Sequence, residues 1–100
     1  MASDMHTPAH AEDLAPALGF MAAAPLAERL RACSGPATRI DGSRVELLGG
    51  QCLQVLLAAA IAFRARGARL ELVDPSPAML ADLALYGFGR EDLESPGSCI

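Results

Sequence analysis

Read for the spacing of its apolar and polar positions, the chain alternates short extended segments with helices. The clearest signal covers residues 50–66. Leu53, Leu56, Leu57, Ala60 and Ile61 recur there at the i, i+3, i+4, i+7, i+8 spacing of a helix with one buried face. Gly67 stops it. Arg69-Leu70-Glu71-Leu72-Val73 then alternates polar and apolar, as a strand with one solvated face does. Asp74-Pro75-Ser76-Pro77 starts a further helix over 77–86. Ser76 is its cap and Pro77 its first residue, where a missing N–H costs nothing. Leu80, Leu83 and Ala84 face inward, and Gly87 closes the helix.

The upstream signals are shorter. A helix over 22–33 accepts Pro25 in its first turn and turns Leu26, Leu30 and Cys33 inward. Ser34-Gly35-Pro36 ends it, with Gly35 suited to the left-handed conformation. Residues 37–41 read as a strand, and Asp41-Gly42-Ser43 as a turn. Val45 to Leu48 leads into Gly49-Gly50, which opens the helix over 50–66. Residues 12–18 suit a short strand. Pro16 has no N–H to give a ladder, which confines that strand to a sheet edge. Residues 1–11 show no period and read as a disordered leader; residues 89–100 read as a loose tail. Strands alternating with helices predict one α/β domain over 12–88, built on a mostly parallel sheet.

Composition narrows the function classes. The apolar fraction is 52 %, yet aromatics are only 4 % and Trp is absent, so the core must come from Leu, Val, Ile and a few Phe and Met. The net charge is −4, every basic residue is an arginine, and the arginines are scattered. A nucleic-acid surface needs a clustered basic face. An anionic membrane surface repels an acidic domain. Cys33, Cys52 and Cys99 are odd in number and widely spaced, which suits free thiols in a reducing compartment. No basic-then-apolar leader pattern opens the chain, and the apolar run over 55–63 is too short to span a bilayer. The expectation is a cytoplasmic protein.

Candidate chemistry is sparse. His6 and His10 are spaced like a helical metal pair but have no third ligand near. With no other histidine, a triad of nucleophile, base and acid would have to recruit the leader. Gly49-Gly50 sits where helix amides cradle phosphates, but no Walker lysine or GxGxxG accompanies it, so a tight turn is the better reading. Cys52 lies at a helix start, where a thiol is activated, yet has no base or resolving cysteine in sequence; packing explains it better. Asp41, Glu46 and Asp74 sit at strand ends without ligand-like spacing. Ser43 and Ser76 are phosphorylatable in principle, but turn and cap roles account for them. No metal and no cofactor is expected.

The outer face of the helix over 50–66 departs from the usual pattern. Gln51, Val55, Ala58, Ala59 and Ala62 lie away from its core stripe, where a solvated face normally carries Glu, Lys and Arg. A contiguous exposed apolar area marks a partner.

The run Asp41-Gly42-Ser43-Arg44-Val45-Glu46-Leu47-Leu48-Gly49-Gly50-Gln51-Cys52-Leu53-Gln54-Val55-Leu56-Leu57, followed by Val73-Asp74-Pro75-Ser76-Pro77, resembles a STAS domain, the fold of bacterial anti-sigma factor antagonists. The resemblance covers residues 37–87, and more weakly 14–30. It implies a STAS-like single domain with a sheet of about four strands and helices packed on one side. It also implies a non-enzymatic module that binds a kinase-like or ATPase partner. In the antagonists an Asp followed by Ser or Thr at the start of the second helix is phosphorylated. Here Gly49 stands for the Asp, and Gly50 and Gln51 stand at the hydroxyl positions, so none accepts a phosphate. The Gly-Gly-Gln-Cys-Leu-Gln-Val-Leu-Leu variant looks most like STAS proteins of chemotaxis gene clusters, whose partners are kinase, receptor or adaptor assemblies. The alternative is the small STAS subunit of phospholipid-transport ABC ATPases, which normally carries a Thr near the position of Gly50. The expected docking residues are Gly49, Gly50, Gln51, Gln54, Val55 and Ala58, with Ser43 and Glu46 at the rim. The same alanine-rich face also suits homodimerisation.

Overall fold

In the computed structural model, which describes residues 10–97, the centre of the molecule is a parallel pair, β3 (Ala37–Asp41) and β5 (Arg69–Val73). Thr38 and Ile40 stand opposite Leu70 and Leu72 in register, and all four side chains are buried. The alternate residues Arg39, Arg69 and Glu71 point to the other face, where Glu71 pairs with Arg39 at 3.5 Å and Arg69 at 3.9 Å. Period-two alternation thus gives the sheet one apolar and one charged face, and the helices collect on the apolar one.

β1 (His10–Asp13) joins β3 in parallel, and β6 (Ser95–Pro96) joins β5 antiparallel, giving the order β1-β3-β5-β6. A second, two-residue parallel pair links β2 (Ala17–Leu18) to β4 (Leu47–Leu48). Three helices complete the fold: α1 (Ala23–Arg31), entered through a 3-10 turn at Phe20–Ala22, α2 (Gly50–Ala65) and α3 (Pro77–Leu85). This is the α/β architecture with a mostly parallel sheet that the pattern predicts, and its four strands are the number the resemblance implies.

α1 buries Leu26 and Leu30, with Cys33 just beyond its end, as its spacing predicts. Arg29 ties it to β1, its Nε donating to Glu12 Oε1 at 2.8 Å and its Nη2 to the Asp13 carbonyl at 2.8 Å. In α2 the buried stripe is Cys52, Leu53, Leu56, Ala60 and Phe63. Ile61, expected inside, is 63 % exposed. Each residue advances the helix by about 100°, so a stripe running through Cys52, Leu56, Ala60 and Phe63 leaves Ile61 outside it. α3 is rotated in the same sense. Met79 and Leu83 are buried, whereas Leu80 and Ala84, expected inside, are exposed. The cause is polar: the Leu48 N–H donates to Asp82 Oδ2 at 2.9 Å, which turns the Asp82 side of α3 toward β4.

Two terminal expectations are corrected. The strand expected over 12–18 is split, because Pro16 leaves the ladder: β1 ends at Asp13, and the Pro16 carbonyl instead accepts from Glu46 N at 2.7 Å and Leu47 N at 3.1 Å. Residues 10 and 11, assigned to a leader, lie in β1; residues 1–9 lie outside the described residues. Over 89–97 the expected loose tail is ordered. It forms a 3-10 turn at Arg90–Leu93 and then β6, with Leu93 and Ser95 buried. Arg64 of α2 donates to the Glu94 carbonyl at 2.7 Å. Glu94 and Arg90 in turn satisfy the outer backbone of Leu72, its N–H donating to Glu94 Oε2 at 2.9 Å and its carbonyl accepting from Arg90 Nη2. One apolar residue among polar ones gives no periodic signal, and these anchors are side chain to backbone. Residues 98–100, including Cys99, lie outside the described residues. Among the stop signals, Gly67 and Gly87 adopt positive φ of 71° and 89°, whereas Gly35 does not.

Ser76 holds α3 in place as its cap. Its Oγ accepts from Met79 N at 3.0 Å and donates to the Val45 carbonyl at 2.5 Å, while its own N–H donates to the Gly42 carbonyl at 3.0 Å. Ser76→Ala removes the cap and strands a buried carbonyl. It is expected to lower the free energy of unfolding by about 2 kcal/mol, measured by urea denaturation. A loss below about 0.5 kcal/mol would show that α3 is positioned by packing alone.

Candidate partner-docking site

α2 starts without a side-chain cap, because Gly49 occupies the cap position in extended conformation. A side chain there would be crowded. A Cβ there would stand 3.0 Å from the Leu18 carbonyl oxygen, against which Gly49 N already makes a 2.8 Å hydrogen bond. Gly50 faces the other way, and a Cβ on it would lie 3.6 Å from the Tyr86 hydroxyl. The amino end of α2 is therefore bracketed by the Leu18-Gly19 segment and by the end of α3. Both brackets lead straight to exposed large apolar residues: Phe20 at 71 % and Met21 at 84 % on one side, Leu85 at 85 % and Tyr86 at 47 % on the other.

From this end a groove of about 530 Å³ runs between α1 and α2. Gln51, Gln54, Val55 and Ala58 line it from α2, facing Ala27 and Arg31 of α1. Arg66 stands at the far end. Its Nη2 donates to the Cys33 carbonyl at 2.8 Å, and its guanidinium lies 4.1 Å from the centroid of the Phe63 ring, a cation–π contact. No residue over 50–63 carries a charge, and no carboxylate lines the groove. A helix surface of this kind gives a partner shape and apolar area without a desolvation cost for ions.

The expected docking residues therefore divide. Gln51, Gln54, Val55 and Ala58 come together in the groove, and Gly50 sits on the Tyr86 side of the same helix start. Gly49 is half-buried and closed in by backbone. Glu46 is exposed beside β4. Ser43 lines a separate small cavity with Asp13, Asp41 and Arg44. There the Ser43 N–H donates to Asp41 Oδ1 at 2.8 Å, and hydrogen bonds from Ser43 hold the Asp41 carboxyl below its ordinary range. Phe20, Met21, Ala27, Arg31 and Tyr86 were not anticipated. Their signal in the sequence is faint, since an exposed apolar pair before a helix reads as a packing pair until its direction is known.

The remaining chemical candidates resolve into structural roles. Cys52 is fully buried, and its Sγ donates to the Gly19 carbonyl at 3.4 Å; burial pushes its thiol up from the ordinary value. Cys33 is buried too, donating to the Arg29 carbonyl at 3.2 Å. Burial and then the Glu12 carboxylate raise its thiol, against smaller opposing effects of Thr38, Arg66 and Arg29. Asp41, Glu46 and Asp74 do not assemble; no cluster of metal-ligating type occurs among the described residues. The His6–His10 pair falls outside them, as regards both side chains. No helix among the described residues is long and apolar enough to cross a membrane.

The family model described as "Mlab, STAS domain" matches residues 9–95. The chain belongs to the STAS domain family. No curated protein and no solved structure matches it. STAS domains are typically non-catalytic binding modules, so a regulatory or protein-interaction role follows in general terms. Gly50 and Gln51 are both exposed at the start of α2.

Both buried thiols are expected to resist iodoacetamide at pH 8 in the native protein and to react fully in denaturant, read by mass spectrometry of the labelled peptides. Because folding raises both thiol pKa values, the stability linked to them is complete below the unfolded value of about 8.5 and falls only as pH rises above it. Rapid native labelling of Cys52 would return it to the reactive class.

Proposed function

We propose that this STAS domain is a non-catalytic regulatory module that docks a protein partner on the amino-terminal half of α2. The observation that carries the proposal is the uncharged surface over 50–63, open on the groove side and flanked by the exposed Phe20 and Met21. The contact set is Gly50, Gln51, Gln54 and Ala58, with Val55 as the groove floor and Glu46 and Ser43 outside its centre. With glycine and glutamine at the hydroxyl positions, binding is constitutive or is switched on the partner.

The leading partner class in this reading is a kinase, receptor or adaptor assembly of the chemotaxis type. The nucleotide-binding subunit of a phospholipid-transport ABC ATPase is the second. Membership of the STAS family supports a protein-interaction role and does not choose between them. The two divide on function: an ATPase partner would change its hydrolysis rate when the STAS domain is added, and a signalling assembly would change its phosphotransfer.

Val55 packs partly against the core, so the exposed Ala58 is the cleaner probe. Ala58→Glu places a charge in the groove. It is expected to weaken capture of the partner from the native lysate by at least about tenfold, equivalent to 1.4 kcal/mol, with an unchanged circular dichroism spectrum. Capture at wild-type level by Ala58→Glu would refute docking at α2.

A further inference from the structure

The groove between α1 and α2 is electrically lopsided. Its amide and apolar side chains, Gln51, Gln54, Val55 and Ala58, lie toward the start of α2, and its two charged ones, Arg31 and Arg66, lie toward the other end. Arg31 is the last residue of α1, and Arg66 follows the last residue of α2. Arg66 is tied to the segment just past α1, its Nη2 donating to the carbonyls of Cys33 at 2.8 Å and Gly35 at 3.2 Å, so the two arginines share one end. Neither has a carboxylate partner among the described residues. Arg31 is exposed and makes no hydrogen bond or ion pair there, and Arg66 meets only carbonyls and the Phe63 ring. Elsewhere the arginines are matched: Arg29 with Glu12, Arg39 and Arg69 with Glu71, Arg90 with Glu94. The two helix ends do not neutralise the pair, since each contributes only about half a negative charge. In a chain of net charge −4, the groove thus ends in a positive spot.

We infer that the occupant of this groove is an acidic amphipathic helix of the partner, which lays its apolar stripe along Ala58, Ala59 and Ala62 and sets carboxylates against Arg31 and Arg66; the inference rests on docking at α2. Length agrees, since α2 offers about 22 Å from Gln51 to Arg66, roughly four helical turns. Shape agrees as well. The alanines of α2 face Ala27 of α1, and small side chains on both walls let a third helix approach closely. Charge fixes what that helix carries. A carboxylate at this end meets two planar donors suited to it, while the acidic remainder of the chain repels it, so charge also sets the direction in which the helix lies. A second copy of the chain supplies no such helix. α2 carries no carboxylate, α3 carries only Asp82, which accepts from the Leu48 N–H, and α1 carries Glu28 alongside Arg29 and Arg31.

Two helical peptides of about 16 residues, sharing one leucine stripe, test this on the full chain. One ends in two glutamates beside the stripe, the other in two lysines. Binding is read by fluorescence anisotropy at low salt. The glutamate peptide is expected to bind at least about tenfold tighter, a preference that shrinks with added salt. Arg31→Glu should bring the two peptides within about twofold of each other, with an unchanged circular dichroism spectrum. Arg31→Gln, which removes the charge without reversing it, should give an intermediate preference. Equal binding of the two peptides by the parent chain overturns the inference, and so does a preference that survives both Arg31 variants. Failure of both peptides to bind overturns it too, and dodecanoate binding in their place would assign the groove to a small anionic amphiphile. Docking at α2 is scored separately, by partner capture on Ala58→Glu. Loss of capture in that variant together with equal binding of the peptides would leave docking at α2 standing and strike the acidic helix alone.

Discussion

Everything in this STAS domain hangs on the parallel pairing of β3 with β5. Their register sets Thr38 and Ile40 beside Leu70 and Leu72, and that quartet is the floor on which α1 and α2 rest. A parallel sheet is usually covered on both faces. Here one face is left to Arg39, Arg69 and Glu71, whose ion pairs keep it solvated. With few aromatics, the core is assembled mostly from leucines, and Phe63 is its largest side chain. Burial on one side of one small sheet leaves little margin. Polar anchors therefore fix what packing does not: Arg29 to β1, Ser76 to Val45, Asp82 to β4, and Arg64 to the final segment.

Those anchors also explain why so much apolar surface remains outside. Asp82 fixes the rotation of α3 and so turns Leu80 and Leu85 outward. The α2 stripe through Cys52, Leu56, Ala60 and Phe63 leaves Ala58 and Ala62 on the groove. The same few contacts that close the core decide which faces are offered to other molecules.

The strand–helix order, the cap at Ser76 and the stops at Gly67 and Gly87 were all legible in the sequence, because each rests on a local signal. Helix rotation was not. Alanine-rich, nearly uncharged helices such as α2 and α3 have apolar residues on every side, so periodicity cannot choose between Ile61 and Phe63, or between Leu80 and Met79, as the inward residue. The choice depends on partners distant in sequence, of which the Asp82–Leu48 bond is the plainest. The ends were misread for a related reason. β1 and β6 owe their place to β3 and β5, and residues 89–97 hold only one large apolar residue, Leu93, to announce them. At the candidate site, the α2 residues could be proposed from the sequence because their lack of charge is a local signal. Phe20, Met21 and Tyr86 were missed because their exposure is a property of the fold.

The closure of β5 by Glu94 and Arg90 has a consequence for how such a domain can associate. β6 pairs with only two residues of β5, and Leu72 beyond it would otherwise present a free N–H and carbonyl to any passing strand. An ionic clasp occupies both groups. Sheet extension, the route by which small α/β proteins run into fibres, is thereby blocked along that margin. Among the described residues, the opposite edge of the four-stranded sheet is β1, so the two margins of one small sheet are finished in different ways.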